Sequence, residues 1–190
     1  LNTNGIYQAN HKLGIFMMLF VSMFQYAWQP FFLQQAKEAN AKNIFSKVLT
    51  YFTISAAVIW ITISLFVNDI VQFEIFHKTL IGKEYWSGLN IVPIILLGYL
   101  FNGIYVVLTA GIIKEEKSIY IPFITGLGAI VNIAVNFLLI PQIGIMGAAF
   151  AMLASYISMA IALYFVTQKF YNIKYDLRSL SKIFLLMLTT

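Results

Sequence analysis

The chain has 190 residues, of which 61% are hydrophobic and only 10% charged, with a net charge of +5 and a mean hydropathy of +0.83. An ordinary soluble domain carries roughly 25% charged residues, so this chain lacks the polar groups to cover itself against water, and most of it is expected in lipid. Cysteine is absent, which excludes a disulfide framework, a thiol nucleophile and a cysteine-based metal site.

Five segments contain no Lys, Arg, Asp, Glu or His: 13–35, 48–67, 89–113, 119–140 and 143–168. Each reaches the length of about 20 residues that a helix needs to cross a bilayer. They are continuously apolar rather than alternating, which favours helices over barrel strands. The predicted fold is therefore an all-α integral membrane bundle, one domain over 1–190, with five complete transmembrane helices and a truncated sixth over 183–190. The chain starts at Leu1 and stops in "KIFLLMLTT", an apolar run too short to cross, so it is expected to be a piece of a longer protein.

The first segment carries Ser22, Gln25 and Gln29, spaced three and four apart and so on one helical face. Pro30 follows and is expected to kink the helix or free a backbone carbonyl. The second segment leads into the one long loop, 68–88. There Val71, Phe73, Ile75, Phe76, Leu80 and Ile81 predict a short helix lying on the membrane, with Tyr85 and Trp86 at headgroup depth as an aromatic belt.

The third segment presents Tyr99, Asn102, Tyr105 and Thr109 on one face, the fourth Thr125, Asn132 and Asn136, and the fifth Ser155 and Ser158. Polar groups inside a membrane usually face a partner helix or a wet cavity. Taken one at a time, such residues serve as interhelical glue; taken as a set, Gln25, Gln29, Tyr99, Asn102, Tyr105, Asn132 and Asn136 predict a cavity lined with amides and phenols, suited to hydroxyl-rich ligands. Between the fourth and fifth segments, Pro141 and Gly144 predict a tight turn outside the hydrocarbon. Gly147, with the alanines around it, predicts close helix packing just beyond that turn.

Orientation follows from the lysines. Loops alternate sides, so one side holds Lys37, Lys42, Lys47, Lys114, Lys117, Lys169, Lys174, Arg178 and Lys182, and the other Lys12, Lys78 and Lys83. Nine against three predicts that the first side is cytoplasmic. This distribution accounts for the basic composition without a nucleic-acid surface, which would interleave aromatics with clustered basic residues. The segment "KFYNIKYDLRSLSK" is also suited to touching anionic lipid, a reading secondary to topology.

No acidic residue falls within a span, so a proton relay or intramembrane cation site of the usual kind is not expected here. His11 and His77 have no spaced partners for a metal, and no nucleophile–base pair, carboxylate pair or phosphate loop is present. The expectation is a protein that is not an enzyme and needs neither metal nor cofactor.

Three stretches carry a resemblance: "NGIYQANHKLG", "FQYAWQPFFLQQA" and "LLGYLFNGIYVVLTAGIIKEEKSIYIPFITGLGAIVNIAVNFLLIPQIGIMGAAFAMLASY". In order and spacing, residues 4 to 165 resemble the C-terminal half of the bacterial polysaccharide flippases in the multidrug/oligosaccharidyl-lipid/polysaccharide exporter superfamily. The resemblance implies most of one lobe of a two-lobed transporter in the bacterial cytoplasmic membrane. That transporter would pass a lipid-linked oligosaccharide across by alternating access, with membrane lipids and other polysaccharide-assembly membrane proteins as partners. The same scaffold also serves multidrug or small-molecule exporters and the peptidoglycan-precursor flippase, which are the alternative expectations.

Overall fold

A computed structural model describes residues 3–75, 78–79 and 81–189. The chain is an all-α polytopic bundle with five helical segments long and apolar enough to cross a membrane. Helix α1 (Thr3–His11) runs through a 3-10 turn (Lys12–Gly14) into α2 (Ile15–Gln35). Then come α3 (Ala41–Gln72), α4 (Val92–Lys114) preceded by a 3-10 segment (Lys83–Ile91), α5 (Tyr120–Ile143), α6 (Ile145–Phe170) and α7 (Leu177–Leu188).

The helices extend past the apolar segments that predict them. The first spanning unit begins at Thr3 rather than 13, the second covers Ala41–Gln72, and the last helix begins at Leu177 rather than near 183. Polar residues at these ends continue the helix because intrahelical bonds remain the cheapest use of their backbone groups once the apolar middle is fixed.

The loop at 68–88 is not one surface helix. Residues 68–72 still belong to α3, which stops where Phe73 turns extended with ψ 120°. Two strands of two residues each, β1 (Glu74–Ile75) and β2 (Lys78–Thr79), then pair antiparallel, and the 3-10 segment follows an extended Gly82. The hairpin and the 3-10 turns satisfy the backbone locally, so no continuous helix is needed. Phe76, His77 and Leu80, included in the expectations above, lie outside the described residues.

Helix α4 is the axis of the bundle. It is buried along 72% of its most apolar stretch, against 11% for α5, and touches α2, α3 and α6. Gly103 makes one of these approaches possible: a Cβ there would run into the ring of Phe52 and stand 3.1 Å from Val21. Aromatic rings join α2 to α3, with Phe24 on Phe52 at 4.7 Å and Trp28 edge-on to Phe45 at 5.5 Å. Offset and edge-to-face rings at these separations are the favourable geometries. Phe184 of α7 stacks on Phe101 of α4 at 5.2 Å, and α5 packs chiefly on α6.

Helix α5 continues through Pro141 to Ile143, so the proline is not in the turn. Its missing N–H costs only one bond, to the carbonyl of Phe137, in the exposed last turn where that oxygen is reachable from outside. The reversal is made by Gly144 alone, with φ +57° and ψ −131°, a conformation that residues with a Cβ rarely adopt. Pro30 likewise sits inside α2, which runs on to Gln35.

The lysine-rich connections gather at one end. Lys42 of α3 and Lys114 of α4 both stand over the ring of Tyr171, at 4.9 and 4.1 Å, and the Ser46 hydroxyl donates to the Lys174 carbonyl at 2.9 Å. Three connections separated in sequence thus share one face, as alternating spans require.

Candidate substrate cleft

The polar residues within the spans divide by how their hydrogen bonds are used. Several hydroxyls donate locally, whereas the buried Ser64 hydroxyl has no partner among the described residues. Thr109 donates to the Val106 carbonyl at 2.7 Å, Thr125 to Ile121 at 3.0 Å and Ser158 to Ser155 at 2.7 Å, each within its own helix. Ser155 is the interhelical member, donating to the Gly128 carbonyl at 2.8 Å and tying α6 to α5. These four have their donor hydrogens committed to backbone and keep only their lone pairs as acceptors.

The amides behave differently. Gln25 and Gln29 are exposed and Asn102 is half-buried, and none of the three makes a side-chain hydrogen bond among the described residues. On α2, Phe20 and Phe24 face Phe52 of α3, and helical periodicity puts Ser22, Gln25 and Gln29 on the flank turned away from α3. An unpaired amide in an apolar medium costs roughly 1–3 kcal/mol by protein mutational measures. Three unpaired amides at membrane depth therefore call for water, a ligand or further protein beside them.

The phenols are anchored but retain capacity. Tyr99 is 7% exposed, with its hydroxyl 3.5 Å from Nε2 of His11, and its ring 6.3 Å from that of Tyr156. Tyr105 is 9% exposed, with its hydroxyl 3.5 Å from the Thr125 hydroxyl of α5. Both contacts are long, at the outer limit of a hydrogen bond. Each phenol can therefore turn toward a better partner.

Asn132 and Asn136 differ from these amides in being bonded to each other. Asn136 donates to the Asn132 oxygen at 2.9 Å on the same helix, which leaves the Asn132 amide hydrogens and the Asn136 oxygen available. Asn136 borders a groove of about 370 Å³ whose other walls are Ile133, Phe137, Ile140 and Pro141. That groove is almost wholly apolar, and Gln25, Tyr99 and Asn102 are not among its walls.

Sequence reasoning missed the cluster around Tyr99. His11 lies 5.6 Å from Tyr7 and 6.0 Å from Tyr99, ring to ring, so α1, α4 and α6 each bring a polar aromatic to one place. The four-residue spacing of Tyr7 and His11 was the available signal, since it places both on one face of α1. Asn10 was also missed. It is fully buried and donates to the carbonyls of Ile6 and Tyr85, both at 2.8 Å, pinning α1 to the 3-10 segment before α4.

Neutral donors and acceptors are thus carried on α1, α2 and α4: amides at Gln25, Gln29 and Asn102, phenols at Tyr7, Tyr99 and Tyr105, and the imidazole of His11. Compared with protein-family models, curated proteins and solved structures, the chain matches none.

Proposed function

We propose that this chain forms most of one lobe of a polysaccharide-type flippase, a membrane transporter that moves a lipid-linked oligosaccharide by alternating access. The observation that carries the reading is the set of three unpaired amides within the spans. Gln25, Gln29 and Asn102 hold no partner within the bundle among the described residues, whereas interhelical glue would be bonded across helices. Sugars present many neutral hydroxyls, each able to donate and accept, and amides and phenols answer them without imposing charge. The resemblance over residues 4 to 165 points to the same substrate class.

The chain has no cysteine, so single cysteines can be placed freely. Introduced at Gln25 and Asn102, they react with a membrane-impermeant maleimide if the cleft is wet. At Phe123 and Ile130, which are 73% and 66% exposed on α5, they stay unlabelled in lipid. Equal protection at all four positions sinks the cleft. In proteoliposomes loaded with lipid-linked oligosaccharide, Asn102→Leu reduces translocation at least tenfold without lowering the amount of inserted protein. Unchanged translocation in that variant sinks the substrate assignment.

A further inference from the structure

Two cavities at the lysine-rich end line up along one face of α3. The first, about 360 Å³, is lined by Lys42, Asn43, Asn172 and Lys174. The second, about 430 Å³, has an entirely apolar surface that includes Leu49, Leu108, Tyr164, Tyr175, Leu180 and Phe184. Lys42 and Leu49 are seven residues apart on α3, two helical turns, which puts them on the same face and roughly 10 Å apart. Lys174 and Tyr175 are adjacent in the chain and wall one cavity each. Between the cavities, Ser46 holds the Lys174 carbonyl against α3 at 2.9 Å.

The polar cavity is cationic. Lys42 and Lys174 line it, the Lys42 and Lys114 ammonium groups lie 4.9 and 4.1 Å from the Tyr171 ring, and none of the three lysines is ion-paired with a carboxylate among the described residues. The apolar cavity opens on the outer surface of the bundle, where Ile161 and Phe165 are 51% and 66% exposed on its rim. A positive pocket with a carbon-lined groove two helical turns further along α3 has the polarity profile of one amphiphile.

We propose that this paired cavity binds a phospholipid with an anionic headgroup, its phosphate among Lys42, Asn43, Asn172 and Lys174 and one acyl chain in the groove between α3, α4, α6 and α7. Basic pockets between membrane helices take up such headgroups by charge and hydrogen bonding. The lysines select the anion, and the groove selects an attached alkyl chain over free phosphate. The bound lipid joins α7 to the α3–α4–α6 core, and the site is independent of whatever the cleft transports.

The test is native mass spectrometry of the detergent-purified protein, titrated with phosphatidylglycerol, with phosphatidylcholine of the same chains, and with inorganic phosphate. Phosphatidylglycerol adducts are expected at concentrations at least tenfold lower than phosphatidylcholine adducts. Lys42→Gln with Lys174→Gln abolishes that preference, and both positions are exposed, so the fold is retained and a thermal melt checks it. Ile161→Trp, which fills the groove from its rim, weakens phosphatidylglycerol binding at least fivefold and leaves the lipid-free melt unchanged. Equal retention of the two lipids, or a preference that survives the lysine changes, overturns the proposal. Displacement of phosphatidylglycerol by inorganic phosphate at matching concentrations assigns the pocket to free phosphate and overturns it as well.

Discussion

Gly147 of α6 lies directly on the backbone of α5: a Cβ at that position would stand 2.6 Å from the carbonyl carbon of Leu139 and 2.7 Å from the amide nitrogen of Ile140. Backbone cannot move aside as a side-chain tip can. Even Gly147→Ala must part the two helices just beyond their turn. Strain of this kind costs about 1–3 kcal/mol, and Gly147→Leu goes beyond what the hairpin accommodates. The thermal midpoint of the purified protein is expected to fall for Gly147→Ala, and membrane accumulation to fail for Gly147→Leu. Gly126 on α5 has nothing within 4 Å of its added Cβ; Gly126→Ala is expected to hold or raise the midpoint, because alanine is the better helix former by about 1 kcal/mol. A Gly147→Leu protein that accumulates normally and differs only in what it transports would refute the packing role.

Asn10 and Tyr85 make a second long-range link, 75 residues apart in sequence, through the 2.8 Å bond from the Asn10 amide to the Tyr85 carbonyl. The amide sits against Gly88, whose added Cβ would stand 2.5 Å from Nδ2. Asn10→Leu therefore removes a donor and adds bulk in the same place. Leaving a buried carbonyl unpaired costs about 1–3 kcal/mol. The loss is expected to be local, reported as faster hydrogen exchange over Lys83–Ile91 with α4 unchanged. Uniform exchange across the bundle in the variant would mean that Asn10 supports the whole fold rather than this corner.

How much of this was legible beforehand depends on the range of the interaction. The five spans could be read because length and absence of charge act residue by residue, and lipid enforces them. The gathering of lysine-bearing connections at one end followed from alternation. The reversal at Gly144 could be read, but the role of Pro141 could not, because whether a proline ends a helix depends on whether the orphaned Phe137 carbonyl is exposed. That Asn136 donates to Asn132, while Gln25 and Gln29 at the same spacing make no such bond, depends on rotamers and neighbours that spacing leaves open. The cluster of Tyr7, His11, Tyr99 and Tyr156 joins residues up to 149 positions apart, and only the packing of α1 and α6 on α4 brings them together.

Glu116 closes α4 in an unusual way for a residue with a Cβ, at φ +55°. The Lys117 amide donates back to the Ile112 carbonyl at 2.9 Å, the six-to-one bond of a Schellman ending, in which the left-handed position normally belongs to glycine. Holding a side chain there costs about 1–2 kcal/mol, part of which glycine returns through its greater freedom in the unfolded chain. Glu116→Gly is therefore expected to stabilise by about 0.5–1 kcal/mol, and Glu116→Val to destabilise. Both are read as thermal midpoints in detergent. If the two shifts share a sign, the strain at Glu116 is not what governs this turn.

Asp176 supplies the pH dependence that can be worked out with its sign. It caps α7, accepting from the Ser179 amide at 3.1 Å and from the Ser179 hydroxyl at 2.5 Å. The Ser179 hydroxyl first, then the Ser179 amide, hold the Asp176 carboxyl below its ordinary range. A carboxylate favoured in the folded state binds its proton less readily there than in the unfolded chain. Its contribution is therefore fully present above the ordinary carboxylate value near pH 4 and is lost as the pH falls through the lower folded value. Amide exchange over Leu177–Lys182 is expected to be constant from neutral pH to about pH 5, after correction for intrinsic rates, and to lose protection below about pH 4. The variant Asp176→Asn keeps a side-chain acceptor for the cap but cannot titrate, so its protection stays flat across the same window. Asp176→Ala loses protection at every pH. An Asp176→Asn profile that still falls below about pH 4 would place the acid-sensitive group elsewhere in the contact between α7 and the bundle.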